Sequence, residues 1–243
     1  MIIRDLSGMA EFFKAEQLQR DVWGADDTED PADLMMVLQH EGGLVAGAFD
    51  EDRLVGYVFG FPTRDPHVQH SHRLAVHPDA RGRSLALRLK RYQREWCLAR
   101  GISIVRWTYD PLRHTNAHLN IARLGAEVCT YHPDYYGVMK GINAGLPSDR
   151  LRADWHLASE RAAACAAWEP GMPRLPLPAG AERVEILPDL DRMLAEDYEA
   201  ALAARLRVRA QLTRLFGEGY VIRHYDAAAA AYLLTRQAAP AEH

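Results

Sequence analysis

The chain has 243 residues, 48% of them hydrophobic and 26% charged, with a formal net charge of −4. That balance is globular and excludes a disordered, fibrous or collagen-like protein, and the net acidity argues against a general nucleic-acid binder. No uncharged apolar run approaches the roughly eighteen residues of a membrane span, and the three cysteines (Cys97, Cys129 and Cys165) form no CxxC pair. They are expected to be reduced thiols, neither a disulfide frame nor a zinc site. The opening MIIRDLSGMAEFF lacks the basic stretch and long apolar core of a secretory signal, so a cytoplasmic location is expected.

In chain order, Ile2 to Leu6 predict a short strand, and apolar residues at helical spacing predict a helix from Gly8 to Trp23. TEDPADLMMVLQH starts a second helix, with Pro31 near its first turn. Two apolar runs around Asp50-Glu51-Asp52-Arg53 predict a hairpin, and HRLAVHP is a further strand entered through a polar loop. Arg81 to Arg100 is the clearest helix, with Leu85, Leu89, Tyr92, Trp96 and Ala99 on one apolar stripe. Gly101 stops it, ISIVRWTYD is a strand, and a short helix runs from Asp110-Pro111 to Leu124-Gly125. Further β elements are expected from Tyr131 to Asn143 and at RLRADWHL. Residues 158–182 are Ala- and Pro-rich and predict a long connection, with at most a helical turn or two at the alanines. VEILP, a long helix from Asp189 to Phe216, and a hairpin from GYVIRHY and AAYLLTR close an α+β chain.

Charge is uneven. Residues 1–60 carry a local balance of −9, whereas residues 73–94 carry +6, from seven Lys/Arg against Asp79 alone. A basic segment in an acidic chain suits a local anionic ligand, although an arginine-rich solvated helix face is the simpler alternative. The junction LAVHPDARGRSLALRL, residues 74–89, favours the ligand. A strand ends at Val76, the chain turns, and a helix opens at about Arg83. Its first amides lack carbonyl partners and its dipole is positive there; Gly82 allows close backbone approach, and Arg81 and Arg83 add charge. This is a phosphate cradle by construction. It is neither a P-loop nor a dinucleotide fingerprint, since GxGxxG and the Lys-Ser/Thr pair are missing.

The run V-x-P-x-x-R-G-x-x-L-A over residues 76–86 resembles the coenzyme-A signature of the GNAT superfamily of N-acetyltransferases. The family pattern Arg/Gln-x-x-Gly-x-Gly/Ala is set here against Arg81, Ser84 and Ala86, with Ser84 departing from the usual glycine. The order of elements also fits that family over roughly residues 1–145. WTYDPLRHTNAHLNIARLGA and GLPSDRLRADW further resemble one uncharacterised branch of acetyltransferases in the superfamily, over nearly the whole chain. The resemblance implies a GNAT fold: a central mixed, twisted sheet flanked by helices, with a C-terminal helix and hairpin. It implies an acyl-CoA-binding core over 1–145 and an extension over 146–243 packed on the same sheet, a single structural unit. Acetyl-CoA would be the co-substrate, with its pantetheine arm along the backbone of Leu74 and Val76. Amides from Arg81 through Gly82, Arg83, Ser84 and Leu85 to Ala86 would hold its pyrophosphate. A small-molecule or protein amine would attack the thioester directly. Neither nucleic acid nor membrane is an expected partner, and a homodimer is compatible with the family.

A first-turn residue has negative φ, so Ser84 is expected to cost room more than backbone geometry. The acid is harder to place. Counting back four from Gly125 puts Ile121 where many relatives have a tyrosine, leaving Tyr131, Tyr135 or Tyr136 as substitutes, with Tyr131 chosen. His72 is the candidate base, placed by period two on the face of Leu74 and Val76; a structural histidine is the alternative. His67, His70 and His72 are taken as a polar strand entry and not as a metal site. Asp110, Asn116 and Asn120 either bind substrate or cap the following helix. The branch resemblance gives Ser148-Asp149-Arg150 a functional reading, with a salt-bridged turn as the alternative. Arg205, Arg209 and Arg214 are expected on a solvated or ion-paired helix face. An acyl-CoA-binding module without catalysis is the alternative function, motivated by Ile121 and Ser84.

Overall fold

The computed structural model describes all residues except 25–26, 138–144, 169–171, 173–175 and 237–243. The chain divides into two compact units, and a boundary between them falls between Trp107 and Thr108. The first unit contains β1 (Ile2–Asp5), α1 (Met9–Trp23), α2 (Ala32–His40), β2 (Leu44–Asp50), β3 (Arg53–Pro62), β4 (Val68–Val76) and α3 (Leu85–Leu98). It ends inside β5 (Ile104–Tyr109). Its strands lie in the order β1-β2-β3-β4-β5, antiparallel except for the parallel β4–β5 pair.

Alternation along β2 builds two apolar layers. Val45 and Phe49 join Phe12, Leu18 and Met35 of α1 and α2, while Leu44, Ala46 and Ala48 join Leu85 and Leu89 of α3. This is the expected mixed sheet with helices on both faces. β4 begins at Val68, inside the stretch expected to be a polar loop, because α3 satisfies the polarity. Gln93 donates to Gln69 Oε1 (2.7 Å), and Lys90 donates to Ser71 Oγ (2.8 Å). Gly60 on β3 makes room for this layer: a Cβ there would stand 2.7 Å from Gln69 Oε1.

Two details of α3 differ from the expectation. It opens at Leu85, after an irregular loop, instead of Arg81. Its buried face is Leu85, Leu87, Leu89, Lys90, Gln93 and Cys97, and Ala99 is exposed. Tyr92 and Trp96 sit at the rim, both donating to the Asp5 carboxylate (2.8 and 3.3 Å).

The second unit has α4 (His114–Ala117), a π-helical turn (His118–Arg123), β6 (Glu127–His132), β7 (Arg150–His156), α5 (Glu160–Ala167) and β8 (Glu182–Glu185). It continues with α6 (Leu190–Glu196), α7 (Tyr198–Gly217), β9 (Tyr220–Asp226) and β10 (Ala231–Arg236). Its strands run β7-β6-β9-β10-β8, with β6–β7, β6–β9, β9–β10 and β10–β8 all antiparallel. The β element expected from Tyr131 to Asn143 is only the end of β6. Residues 133–136 turn, and 138–143 lie outside the described residues. The alanines form α5, capped by Ser159 Oγ, which accepts from Ala162 N–H (3.2 Å). The long helix expected from 189 breaks at Asp197, whose φ is −155° and whose carboxylate caps α7 through Ala200 N–H (2.9 Å). No helix among the described residues is long and apolar enough to cross a membrane.

Candidate functional site

The β4–α3 junction starts with His77, whose Nδ1 accepts from Asp79 N–H (3.2 Å), followed by a 3₁₀ turn at Pro78–Ala80. Residues 81–84 are exposed. Gly82 has φ 78°, and a Cβ there would meet nothing within 4 Å. Ser84 has φ 54° and ψ 25°, and its side chain makes no capping bond to α3. The expectation of negative φ at Ser84 is therefore wrong. Ser84 precedes the helix and is left-handed, a conformation that favours glycine. The first α-helical bond is Arg88 N–H to Ser84 C=O (3.1 Å), so the amides of Leu85, Ala86 and Leu87 precede the ladder. Left-handed residues at 82 and 84 flank Arg83, the kind of backbone from which anion-binding nests are made. The Arg83 guanidinium lies only at 3.9 Å from Asp50, an exposed and weak pairing.

β4 and β5 pair only from Val68–His70 to Ile104–Arg106. Past those residues the strands part, while β4 stays paired with β3 as far as Val76. The fork exposes one edge of β4 from Ser71 to Val76, the edge on which Leu74 and Val76 were expected to act.

His72 sits at the start of the fork, but not on the predicted face. The β3–β4 register passes from Gly60↔Ser71 to Phe59↔Arg73, leaving His72 as a bulge residue. A bulge resets the alternation beyond it. Leu74 and Val76 pack with α3, whereas His72 turns the other way, with its ring 5.6 Å from those of Phe59 and Phe61. Its Nε2 lies 3.1 Å from Asp30 Oδ1, and its side chain is 38% exposed. Arg73 shares that side, bonded to Asp27 Oδ2 (2.7 Å) and paired with Asp30 Oδ2 (3.0 Å). Neighbouring His70 is held neutral, burial pushing its pKa down to about 4.

Sequence reasoning missed Lys90. Its residue is 2% exposed, and its Nζ donates to Ser71 Oγ (2.8 Å) and Gln93 Oε1 (3.0 Å). Nζ also stands 4.0 Å from the centre of the Trp107 ring. Burial pushes its pKa down to about 7. Its place three residues before Gln93 and one after Leu89 is the only signal the sequence offered, and the basic surroundings masked it.

The remaining candidates belong to the second unit. Both Asp110 oxygens accept from Arg205 (2.8 and 2.6 Å), and Oδ1 also accepts from Leu112 N–H (2.8 Å). Asn116 is exposed, and Asn120 is buried within the π-helical turn beside fully buried Ile121. The Tyr131 hydroxyl donates to Asp149 Oδ2 (2.6 Å), and burial is the first cause of its raised pKa. Asp149 is fully buried and also accepts from Arg209 Nε and Nη2 (2.8 and 2.6 Å) and from Asp134 N–H (2.9 Å). Ser148-Asp149-Arg150 is thus the salt-bridged turn. Arg205 and Arg209 are anchors, and Arg214 pairs with Glu218 one turn on.

Residues 9–125 match the acetyltransferase (GNAT) family model, the family whose signature the motif resembles. No curated protein sequence matches the chain. Among solved structures, aminoglycoside 6'-acetyltransferase type Ii superposes with TM-score 0.53 at 19% identity, covering 65% of this chain and 99% of that one. The ribosomal-protein-S18-alanine N-acetyltransferase from Escherichia coli gives TM-score 0.54 at 14% identity, covering 65% and 94%. A phosphinothricin acetyltransferase from Sinorhizobium meliloti, in complex with AcCoA, gives 0.52 at 17%, covering 63% and 86%. The fold is that of the GNAT acetyltransferases.

Proposed function

We propose that this chain is an acyl-CoA-dependent acyltransferase that transfers an acyl group, acetyl being the simplest, to a primary amine by direct attack. The observation that carries the reading is the β4–β5 fork beside an exposed left-handed loop. A strand edge free from Ser71 onward can pair with the pantetheine amides, and the open amides near the α3 N-terminus suit a pyrophosphate. The residues fit the donor. Nothing in the structure stands within 4 Å of a Cβ at Gly82, so the backbone there can be approached closely. Arg81 and Arg83 add charge, and the Ser84 hydroxyl can donate to a phosphate oxygen.

In this reading the donor supplies an activated thioester. Backbone groups of Leu74 and Val76 align it, and a β4 N–H polarises its carbonyl. His72, held by Asp30, takes the proton of the attacking amine. The C–N bond forms as the C–S bond breaks. Tyr131 directs its proton to Asp149, so the thiolate leaves without it; thiol acidity permits this. Asp110 is engaged by Arg205.

Buried Ile121 and the engaged Tyr131 favour one alternative, a binding module that holds acyl-CoA without turnover. Calorimetric titration with acetyl-CoA, repeated on Arg81→Ala/Arg83→Ala, tests donor binding. The expected result is micromolar affinity lost in the variant, and absence of binding to any acyl-CoA overturns the reading. Release of free thiol with an amine panel then separates enzyme from binder.

A further inference from the structure

Lys90 poses a problem of charge. Its ammonium is buried between α3, β4 and β5, and its partners are a hydroxyl, an amide oxygen and an indole face, all neutral. No carboxylate pairs with it among the described residues. The titratable groups that face it are Cys97, on its own helix, and His70 on β4, and neither supplies a counter-charge: burial keeps the Cys97 thiol protonated, with its pKa pushed up to about 12, and His70 neutral. An unpaired buried charge is costly, and an apolar residue of the same length would pack there more cheaply. Gln93, bonded in turn to Gln69, gives it a polar layer without a counter-charge, and burial correspondingly lowers its pKa to about 7, so the amine is largely neutral in mildly alkaline buffer.

Position within the fork tells what the charge meets. Ser71 follows His70, the last β4 residue paired with β5, and Trp107 follows Arg106, the last β5 residue so paired. Lys90 holds Ser71 and faces Trp107, so its ammonium bridges the two strands at the apex where they part. A donor whose phosphates lie at residues 81–86 enters this fork from Val76 and runs toward Ser71. That path is five residues of strand, roughly 17 Å, comparable to an extended pantetheine arm. The end of the donor that arrives at Lys90 is the acyl group.

We infer that the chain takes a donor whose acyl group ends in a carboxylate, a dicarboxylic acid monothioester of coenzyme A, with Lys90 at the apex of the β4–β5 fork pairing with that carboxylate. Acetyl transfer then remains possible but leaves the Lys90 amine without a counter-charge. The inference rests on the acyl-CoA reading above. A neutral amine meeting a carboxylate takes up a proton, and with a pKa near 7 the uptake is largest in mildly alkaline buffer.

The test is calorimetric titration of the whole chain with succinyl-CoA, acetyl-CoA and free coenzyme A at about pH 8, in two buffers of different ionisation enthalpy, and again with Lys90→Met. The expected result is succinyl-CoA binding at least about tenfold tighter than acetyl-CoA, with proton uptake for succinyl-CoA alone. In Lys90→Met the ratio of the two affinities is expected to collapse toward one. Acetyl-CoA binding as tightly as succinyl-CoA overturns the inference and leaves the acyl-CoA reading standing, as does a preference that survives in Lys90→Met. Binding of none of the three overturns both. The proton count needs only the native chain, so the inference stays exposed if the variant does not fold.

Discussion

Arg205 grips both oxygens of Asp110 from 95 positions further along the chain, at 2.8 and 2.6 Å, with its own side chain 1% exposed. A carboxylate that the sequence offers as a substrate ligand is therefore the counter-ion of a buried guanidinium. Removing one partner leaves the other charge buried and unpaired. Arg205→Met is expected to cost about 3 kcal/mol, read as a lower urea midpoint at unchanged slope. A loss within about 0.5 kcal/mol would show that the pair contributes little.

Lys90 makes stability depend on pH. Its folded pKa, about 7, lies below the ordinary value of 10.5, so between these pH values the unfolded chain binds more protons than the folded one. Stability contributed by this site rises with pH over that window, and the cost of the buried charge is complete below pH 7. Native chain relative to Lys90→Met is expected to gain up to ~1.4 kcal/mol per pH unit above pH 7. Denaturant unfolding of both proteins at about pH 6 and pH 9 measures the difference, and parallel curves contradict it.

At Ser84, φ of 54° carries the strain of a left-handed non-glycine residue. Ser84→Gly is expected to raise stability by about 0.5–1 kcal/mol, a few degrees in Tm, by relieving it. A β-branched Ser84→Val should lose more than that and weaken acyl-CoA binding. Thermal unfolding together with calorimetry checks both.

If His72 takes the amine proton, His72→Ala should lower kcat/KM about a hundredfold while leaving the chain folded, and added imidazole should restore part of the rate. Asp30→Asn should produce a smaller loss, since Asp30 acts through its contact with His72 Nε2 and through Arg73. Equal activity of His72→Ala and native chain would make it a structural histidine at the bulge.

Tyr131→Phe separates two roles for that hydroxyl. It removes one donor from fully buried Asp149, so a stability loss of about 1–3 kcal/mol is expected. Turnover measured below the melting range should change less than about threefold. A drop of a hundredfold or more at intact stability would restore Tyr131 as the acid.

Local chemistry made much of the fold legible. Alternating apolar residues around Asp50–Arg53 gave the hairpin, and Gly101 marked the end of α3. The motif V-x-P-x-x-R-G-x-x-L-A carried the family resemblance and marked the turn between β4 and α3, because strand ends and proline turns are set by neighbours in sequence. Tertiary structure decided the rest. The bulge at His72 depends on the register of β4 against β3, and it moved the candidate base to the other face. The left-handed turn at Ser84 follows from where α3 must begin to pack Leu85 and Leu89 against the sheet. Asp110 and Asp149 became buried anchors because α7 brings Arg205 and Arg209 to them from far along the chain. The ammonium of Lys90 acquires meaning only where β4 and β5 part, since a burial cost depends on which groups surround a charge in space, and spacing along one helix does not encode them.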